Sequence, residues 1–322
     1  MTLPAIGISL GDPGGVGPEI VLKALSERAS LPEARYIVFG GRSILEKEAD
    51  SLGLQPGLMT WEDGELPSGP GLFFRDVGGS PVEFVKGKAS AGNGEASFLF
   101  FKAAVKMARL SLLNAVVTSP ISKTSWCLAG LSWRGHTEYL ESLFPGAIMT
   151  FWSERLRVAL LSHHLPLREA IERVKKRTLL DFFRNLHQSL GRTKSCVREL
   201  LVAGLNPHAG EDGFLGTEEE DEIRPAVEEA RQEGLAISGP FPPDTIFLKA
   251  IDCPEKMVIA LYHDQGLIGF KLKAFETGVN ATLGMPFIRT SPDHGTAYDI
   301  AGKGAADPRS LIAAIRMAVE LS

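Results

Sequence analysis

Short apolar runs alternate with amphipathic stretches along nearly the entire chain. Residues 5–10, 36–39, 72–74, 115–118, 158–162, 200–203 and 257–262 are too short and too evenly apolar to be surface helices. They predict strands buried on both faces. The stretches between them carry helical periodicity. Pro18 suits a first helical turn, and Ile20, Val21, Ala24 and Leu25 share one face of a helix running to Ser26. Phe98, Phe101, Val105 and Ala108 repeat at helical spacing after Gly94, and Ala170, Ile171 and Val174 do so after Pro166. Thr217-Glu218-Glu219-Glu220 has the spacing of a capping box and opens another predicted helix. Strand and helix in alternation imply an α/β fold with a largely parallel sheet.

With 322 residues the chain is about twice the usual domain length, so two interlocking domains are expected. No internal repeat or low-complexity tract interrupts it. Lys and Arg number 34 against 39 Asp and Glu, a formal net charge of −5, which argues against a nucleic-acid or anionic-membrane partner. Cys127, Cys196 and Cys253 are scattered, with no CxxC spacing, and suit a reducing compartment rather than a disulfide framework. The first basic residue is Lys23, so no charged secretory n-region is expected, and the apolar runs fall short of the roughly 20 residues of a membrane span. A soluble, cytoplasmic protein is the expectation.

Candidate chemistry lies where apolar runs end, because open α/β sheets bind ligands beyond the carboxyl ends of their strands. His164, His208 and His263 each follow such a run. Three neutral imidazoles converging from separate strands would leave open positions on a divalent ion, the pattern of a catalytic metal. The alternative is that each merely hydrogen-bonds its own loop. His136, in Arg134-Gly135-His136-Thr137-Glu138, reads equally as a helix cap or a ligand contact. Lys271, Asn280 and Arg289 follow His263 and could clamp phosphate or carboxylate, or be ordinary surface polarity. The glycine-rich segment from Gly11 to Glu19 joins a strand to a helix, yet has neither P-loop nor Rossmann spacing; a tight turn is preferred over a phosphate cradle. The acidic run from Glu218 to Glu222 reads as a helix first turn, where carboxylates meet the positive dipole end.

Taken together, ordered motifs carry a family resemblance over essentially the whole chain. They are Gly11-Asp12-Pro13 with Gly17-Pro18-Glu19, Thr118-Ser119-Pro120-Ile121-Ser122-Lys123, Gly135-His136-Thr137-Glu138 and His164-Leu165-Pro166-Leu167. Asn206-Pro207-His208-Ala209-Gly210-Glu211, Gly239-Pro240, Pro243-Asp244-Thr245 and Tyr262-His263-Asp264-Gln265-Gly266 follow, then Gly278-Val279-Asn280-Ala281-Thr282 and Pro286-Phe287-Ile288-Arg289-Thr290-Ser291. The set resembles the PdxA family of 4-hydroxythreonine-4-phosphate dehydrogenases. The segment from His294 to Gly302 is also similar to the cofactor loop of isocitrate and isopropylmalate dehydrogenases, with Tyr298 where that loop has proline.

The resemblance implies a two-domain isocitrate/isopropylmalate dehydrogenase-like α/β fold, with the active site in the interdomain cleft and completed by the partner of a homodimer. Residues 1–125 with 280–322 would form the first, cofactor-side domain, and 126–279 the second, carrying the metal, substrate and dimer side. It implies metal ligands His164, His208 and His263, with His263 chosen as the one donated across the dimer. Substrate contacts fall on His136, Thr137, Lys271, Asn280 and Arg289, and cofactor contacts on His294, Gly295, Thr296, Ala297, Asp299 and Gly302. A general base is not assigned. The implied reaction is NAD- or NADP-dependent oxidation of 4-phosphooxy-L-threonine with one divalent ion, zinc, magnesium or cobalt. The 3-oxo acid then decarboxylates to 3-amino-2-oxopropyl phosphate on the route to pyridoxal 5'-phosphate. A related dehydrogenase of phosphorylated threonate or erythronate is the alternative; a non-redox metal-dependent phosphate-ester hydrolase or acyltransferase, or a binding protein, is the reading from another class.

Overall fold

A computed structural model of the chain describes residues 3–62, 64–78, 84–275 and 277–322. The chain divides into two compact units, Met1–Pro145 with Pro286–Ser322, and Gly146–Met285. The first therefore takes up the chain at both ends.

In the first unit, β1 (Ala5–Ser9), β2 (Arg35–Gly40), β3 (Met59–Thr60), β4 (Gly71–Asp76) and β5 (Ala115–Thr118) alternate with α1 (Gly17–Ser26), α2 (Arg42–Leu52) and α3 (Ala91–Arg109). The short α4 (Lys123–Leu128) and α5 (His136–Leu143) follow. The chain leaves for the second unit with β6 (Ile148–Trp152), β7 (Arg157–Leu160), α6 (Leu167–Glu172), α7 (Lys176–Gly191), β8 (Glu199–Ala203), α8 (Arg224–Gln232) and β9 (Ile237–Phe241). It continues through α9 (Ile246–Ala250), β10 (Lys256–Ala260), α10 (His263–Ala274) and β11 (Val279–Leu283), then returns with β12 (Ile288–Ser291) and α11 (Arg309–Leu321).

The first unit's strands run in the order β3-β4-β2-β1-β5-β12, every pair parallel. Residues of β1 and β5 are buried throughout, which is why they read as largely apolar runs. In the second unit the order is β11-β6-β7-β10-β8-β9, with β6 antiparallel to both β11 and β7 and the rest parallel. The α/β class expected from the alternation holds, with the sheet of this unit mixed. Each expected run is found as a strand, to within a few residues at its ends.

Helix α3 begins at Ala91, ahead of Gly94, because the Ser90 hydroxyl caps it by accepting from the Asn93 amide at 3.1 Å. Gly94 lets α3 and α4 cross backbone to backbone: a Cβ there would sit 2.0 Å from the Ser125 carbonyl oxygen. Fully buried Trp126 then packs edge-on against Phe98, which also meets Tyr139 of α5 at 5.3 Å. This aromatic cluster ties α4 and α5 to the first unit.

The capping box at Thr217 does not form. The chain enters α8 through a single π-helical turn, Glu219–Ile223, that has no side-chain cap, and Glu220 instead pairs with Arg224 at 2.7 Å. No described helix is long and apolar enough to cross a membrane.

Candidate active site

Arg289 and His136 meet inside the first unit. Arg289 points from β12, and its Nε and Nη2 donate to the Thr118 hydroxyl at the end of β5, at 2.9 and 2.7 Å. Its Nη2 also lies 3.4 Å from Nδ1 of His136, the first residue of α5. A guanidinium can only donate, so His136 Nδ1 is the acceptor and the ring is neutral with its proton on Nε2. Burial, reinforced by the Arg289 charge, holds His136 well below the ordinary imidazole range. Burial also pulls Arg289 down to about 10, which leaves it cationic at neutral pH. His136 is packed between Phe101, centroids 4.4 Å apart, and Trp126 at 5.6 Å. Its buried Nε2 has no hydrogen-bond partner among the described residues. A buried N–H donor beside a buried cation has the chemistry to take an anionic or hydroxyl-bearing ligand. Thr137, half-buried, is the next residue in the first turn of α5.

The three strand-end histidines lie in the second unit. His164 follows β7 on left-handed backbone, φ 49°, and its ring lies 5.6 Å from that of His263, which opens α10 just beyond β10. His208 follows β8 at φ 55°, in a loop where Ala209, Glu211 and Asp212 also have positive φ. Non-glycine residues held in this region cost about 1–3 kcal/mol each and concentrate at functional sites. Two of the rings carry a carboxylate on Nδ1: Glu211 on His208 at 2.6 Å and Asp264 on His263 at 2.7 Å. That is the second-layer arrangement which fixes a ligand's tautomer and leaves Nε2 for an ion. The donor chemistry therefore fits a divalent metal. Yet among the described residues no three His, Cys, Asp or Glu side chains are gathered closely enough to hold one. His164 and His263 pair, and His208 stands apart from them. His263 lies beside His164 because strands β7 and β10 are hydrogen-bonded neighbours and bring their ends together.

The loop after β12 belongs to the first unit. His294, Gly295, Asp299 and Gly302 are exposed, while Thr296, Ala297 and Tyr298 are half-buried, with Ala297 at φ 42° and Gly302 at φ 76°. An ordered loop with an open outer edge fits a nicotinamide dinucleotide bound without a Rossmann turn. The Gly11 to Glu19 segment is buried throughout and its amides serve the protein. Gly14 N donates to Asp12 Oδ1 at 2.8 Å, Gly15 N to Asp12 O at 3.0 Å and Val16 N to Thr296 O at 3.0 Å. It is a tight turn, as expected, and the amides of Gly14, Gly15 and Val16 are already hydrogen-bonded within the protein.

Lys271, on α10, lies with Nζ 6.0 Å from the centre of the Phe275 ring. Asn280 stands on β11 opposite Phe151, and its buried Oδ1 has no hydrogen-bond partner among the described residues.

Sequence reasoning missed the residues that shape these sites. Thr118 orients Arg289. Glu219 is fully buried and accepts from the amides of Leu205 and Asn206, both at 2.7 Å, while Glu218 accepts from Asn206 Nδ2 at 2.7 Å. The acidic run thus holds the His208 loop, beyond complementing a helix dipole. Two adjacent carboxylates following Asn206-Pro207 were the available signal.

The sequence profile of the pyridoxal phosphate biosynthetic protein PdxA family matches residues 33–318. The chain belongs to this family. Among its curated PdxA relatives, a 4-hydroxythreonine-4-phosphate dehydrogenase of Desulforapulum autotrophicum is 42% identical over 98% of this chain and 94% of its own. A D-threonate 4-phosphate dehydrogenase of Cupriavidus necator is 38% identical, covering 99% of this chain and 98% of its own. Among solved PdxA structures, that of the 4-hydroxythreonine-4-phosphate dehydrogenase of Klebsiella pneumoniae matches with a TM-score of 0.86 at 35% identity, covering 98% of each chain.

Proposed function

We propose that this chain oxidises 4-phosphooxy-L-threonine with NAD or NADP, in the cytoplasm, to 2-amino-3-oxo-4-phosphooxybutanoate, which loses carbon dioxide to give 3-amino-2-oxopropyl phosphate for pyridoxal 5'-phosphate synthesis. The observation that carries the reading is the Arg289–His136 pair, a buried cation and a buried, unpartnered N–H at positions that the family resemblance assigns to substrate. Three cysteines without disulfide partners suit the compartment.

Bound NAD or NADP would supply the two-electron acceptor for the substrate's C3–H hydrogen, with the C3 hydroxyl proton passing to solvent. Arg289 holds an anionic end of the substrate, and the N–H of neutral His136 adds a directional hydrogen bond without competing charge. Thr137 and Asn280 offer further polar contacts, and Lys271 a second positive charge. His294, Gly295, Thr296, Ala297, Asp299 and Gly302 hold the dinucleotide. His164, His208 and His263 would hold one divalent ion, zinc, magnesium or cobalt, which would supply Lewis-acid polarisation at the substrate hydroxyl.

The working unit is a homodimer. Helix α10 buries Leu267, Phe270 and Ala274 in its own unit but exposes Ile268, Leu272 and Phe275, an i, i+4, i+7 stripe that is 64, 79 and 72% accessible. This helix starts at His263. A second copy of the chain covering the stripe brings its own His208 to the His164–His263 pair and completes the three ligands.

A D-threonate 4-phosphate specificity is the second reading, supported by relatives of that name at 36–38% identity. The test is reduction of NAD or NADP by the metal-loaded protein with each phosphorylated acid. A kcat/KM at least tenfold higher for 4-phosphooxy-L-threonine supports the first reading. The reverse ratio establishes the second, and no reduction of either NAD or NADP with either acid defeats both.

A further inference from the structure

The seat of the 294–302 loop is a buried polar triad that no step of the reaction uses. The carboxylate of Asp12, just past β1, is fully buried. Its Oδ2 accepts from the Tyr298 hydroxyl at 2.7 Å and from the Ser125 hydroxyl at 2.9 Å, and the two hydroxyls lie 3.0 Å apart. Its Oδ1 takes the Gly14 amide at 2.8 Å. Burial raises Asp12 above the ordinary carboxylate range, against the opposing pull of these donors. The turn is shaped to receive the loop: a Cβ on Gly15 would lie 2.7 Å from the Thr296 carbonyl oxygen. Further along, Glu19 accepts from the Ala306 amide at 2.8 Å, and Lys23 Nζ donates to the carbonyls of Gly304 and Ala306, both at 2.8 Å. The segment is thus fastened at Thr296, at Tyr298 and at 304–306. Between these points Ala297 is held at φ 42°, a backbone that relaxes unless something over-determines it. Among these fastenings, the Tyr298 hydroxyl is the side-chain tie next to Ala297.

We propose that Tyr298, through its hydrogen bond to buried Asp12, is the positioning residue that pre-forms the 294–302 loop for the nicotinamide dinucleotide. The inward face of the loop is spent on this latch so that His294, Gly295, Asp299 and Gly302 face outward in one fixed arrangement. Pre-organisation lowers the cost of ordering on binding and so acts on cofactor affinity rather than on the chemical step. The proposal rests on the reading that this loop holds the cofactor.

The test is Tyr298→Phe in the full-length protein. It removes one hydroxyl and leaves Asp12 its bonds to Ser125 and Gly14. Amide hydrogen exchange across residues 294–302, measured without cofactor, is expected to quicken. NAD binding by calorimetry and the KM for NAD should both weaken by about tenfold, the usual worth of one hydrogen bond to a carboxylate. The kcat at saturating NAD and the KM for the phosphorylated substrate should stay within about twofold, a split that general destabilisation would not produce. Unchanged exchange overturns the latch. Faster exchange with unchanged NAD affinity overturns its role in cofactor binding. Asp299→Ala then separates the two failures: if it also leaves NAD affinity intact, the loop is not the cofactor seat, and if it weakens binding, the seat stands and the latch alone is refuted.

Discussion

Nη2 of Arg289 approaches Nδ1 of His136 to 3.4 Å in a buried setting, and this contact fixes the imidazole as neutral. A histidine whose folded pKa lies well below its unfolded value of about 6.5 opposes folding once the unfolded chain begins to take up the proton. Its neutral state is harmless above that pH, and stability falls as pH drops below it. Below about pH 6.5 this site should therefore make stability fall as pH drops, because the unfolded chain takes up a proton that the folded one resists. His136→Gln should remove that contribution, so its urea midpoint should decline less steeply between pH 7.5 and 5.5 than that of the wild type. Parallel declines would show that His136 takes its proton in the folded state without penalty.

The same pair bears on substrate charge. If Arg289 or Lys271 grips the phosphate, Arg289→Ala or Lys271→Ala should lose roughly ten- to hundredfold more kcat/KM on the phosphorylated substrate than on its dephosphorylated analogue. Taking the ratio within one variant cancels any loss of folded protein. A ratio equal to that of the wild type would assign the residue to the carboxylate end or to no substrate contact.

The pairing of His164 with His263 makes complementation specific. In a symmetric dimer that shares His208, a heterodimer of His208→Ala and His164→Ala subunits carries one site with every ligand intact and one with two defects. Equal mixing should recover about a quarter of wild-type activity, since half the dimers carry one good site of two. Mixing His164→Ala with His263→Ala should recover none. Recovery in the second mixture, with subunit exchange confirmed by native mass spectrometry, would return His263 to the role of donated ligand.

Leu272→Glu puts a carboxylate into the exposed stripe of α10 without touching the helix's buried side. An unpaired charge at a dimer interface costs several kcal/mol, on the order of a hundredfold or more in association. The variant should elute as a folded monomer by light scattering and bind less metal. A dimer of unchanged affinity would place the interface elsewhere.

The amino-acid sequence alone determined the α/β class and the places where chemistry could occur. Strands buried on both faces are apolar along most of their length, so β1, β5, β8 and β10 announce themselves, and the chain directly after them marks the end where open α/β sheets bind ligands. It did not reveal β11 or β12, because the polar Asn280 and Arg289 break their apolar runs. Nor could it show that Glu219 leaves its helix to hold the His208 loop, or that Tyr298 reaches Asp12 from 286 residues away in the chain. Which histidines pair was likewise decided by the fold. Strand adjacency sets β7 beside β10, and so His164 beside His263, and no spacing along the chain encodes that neighbour relation. Hydrophobic periodicity is a local property and survives in the sequence, whereas hydrogen bonds across long separations exist only once the strands are ordered in space.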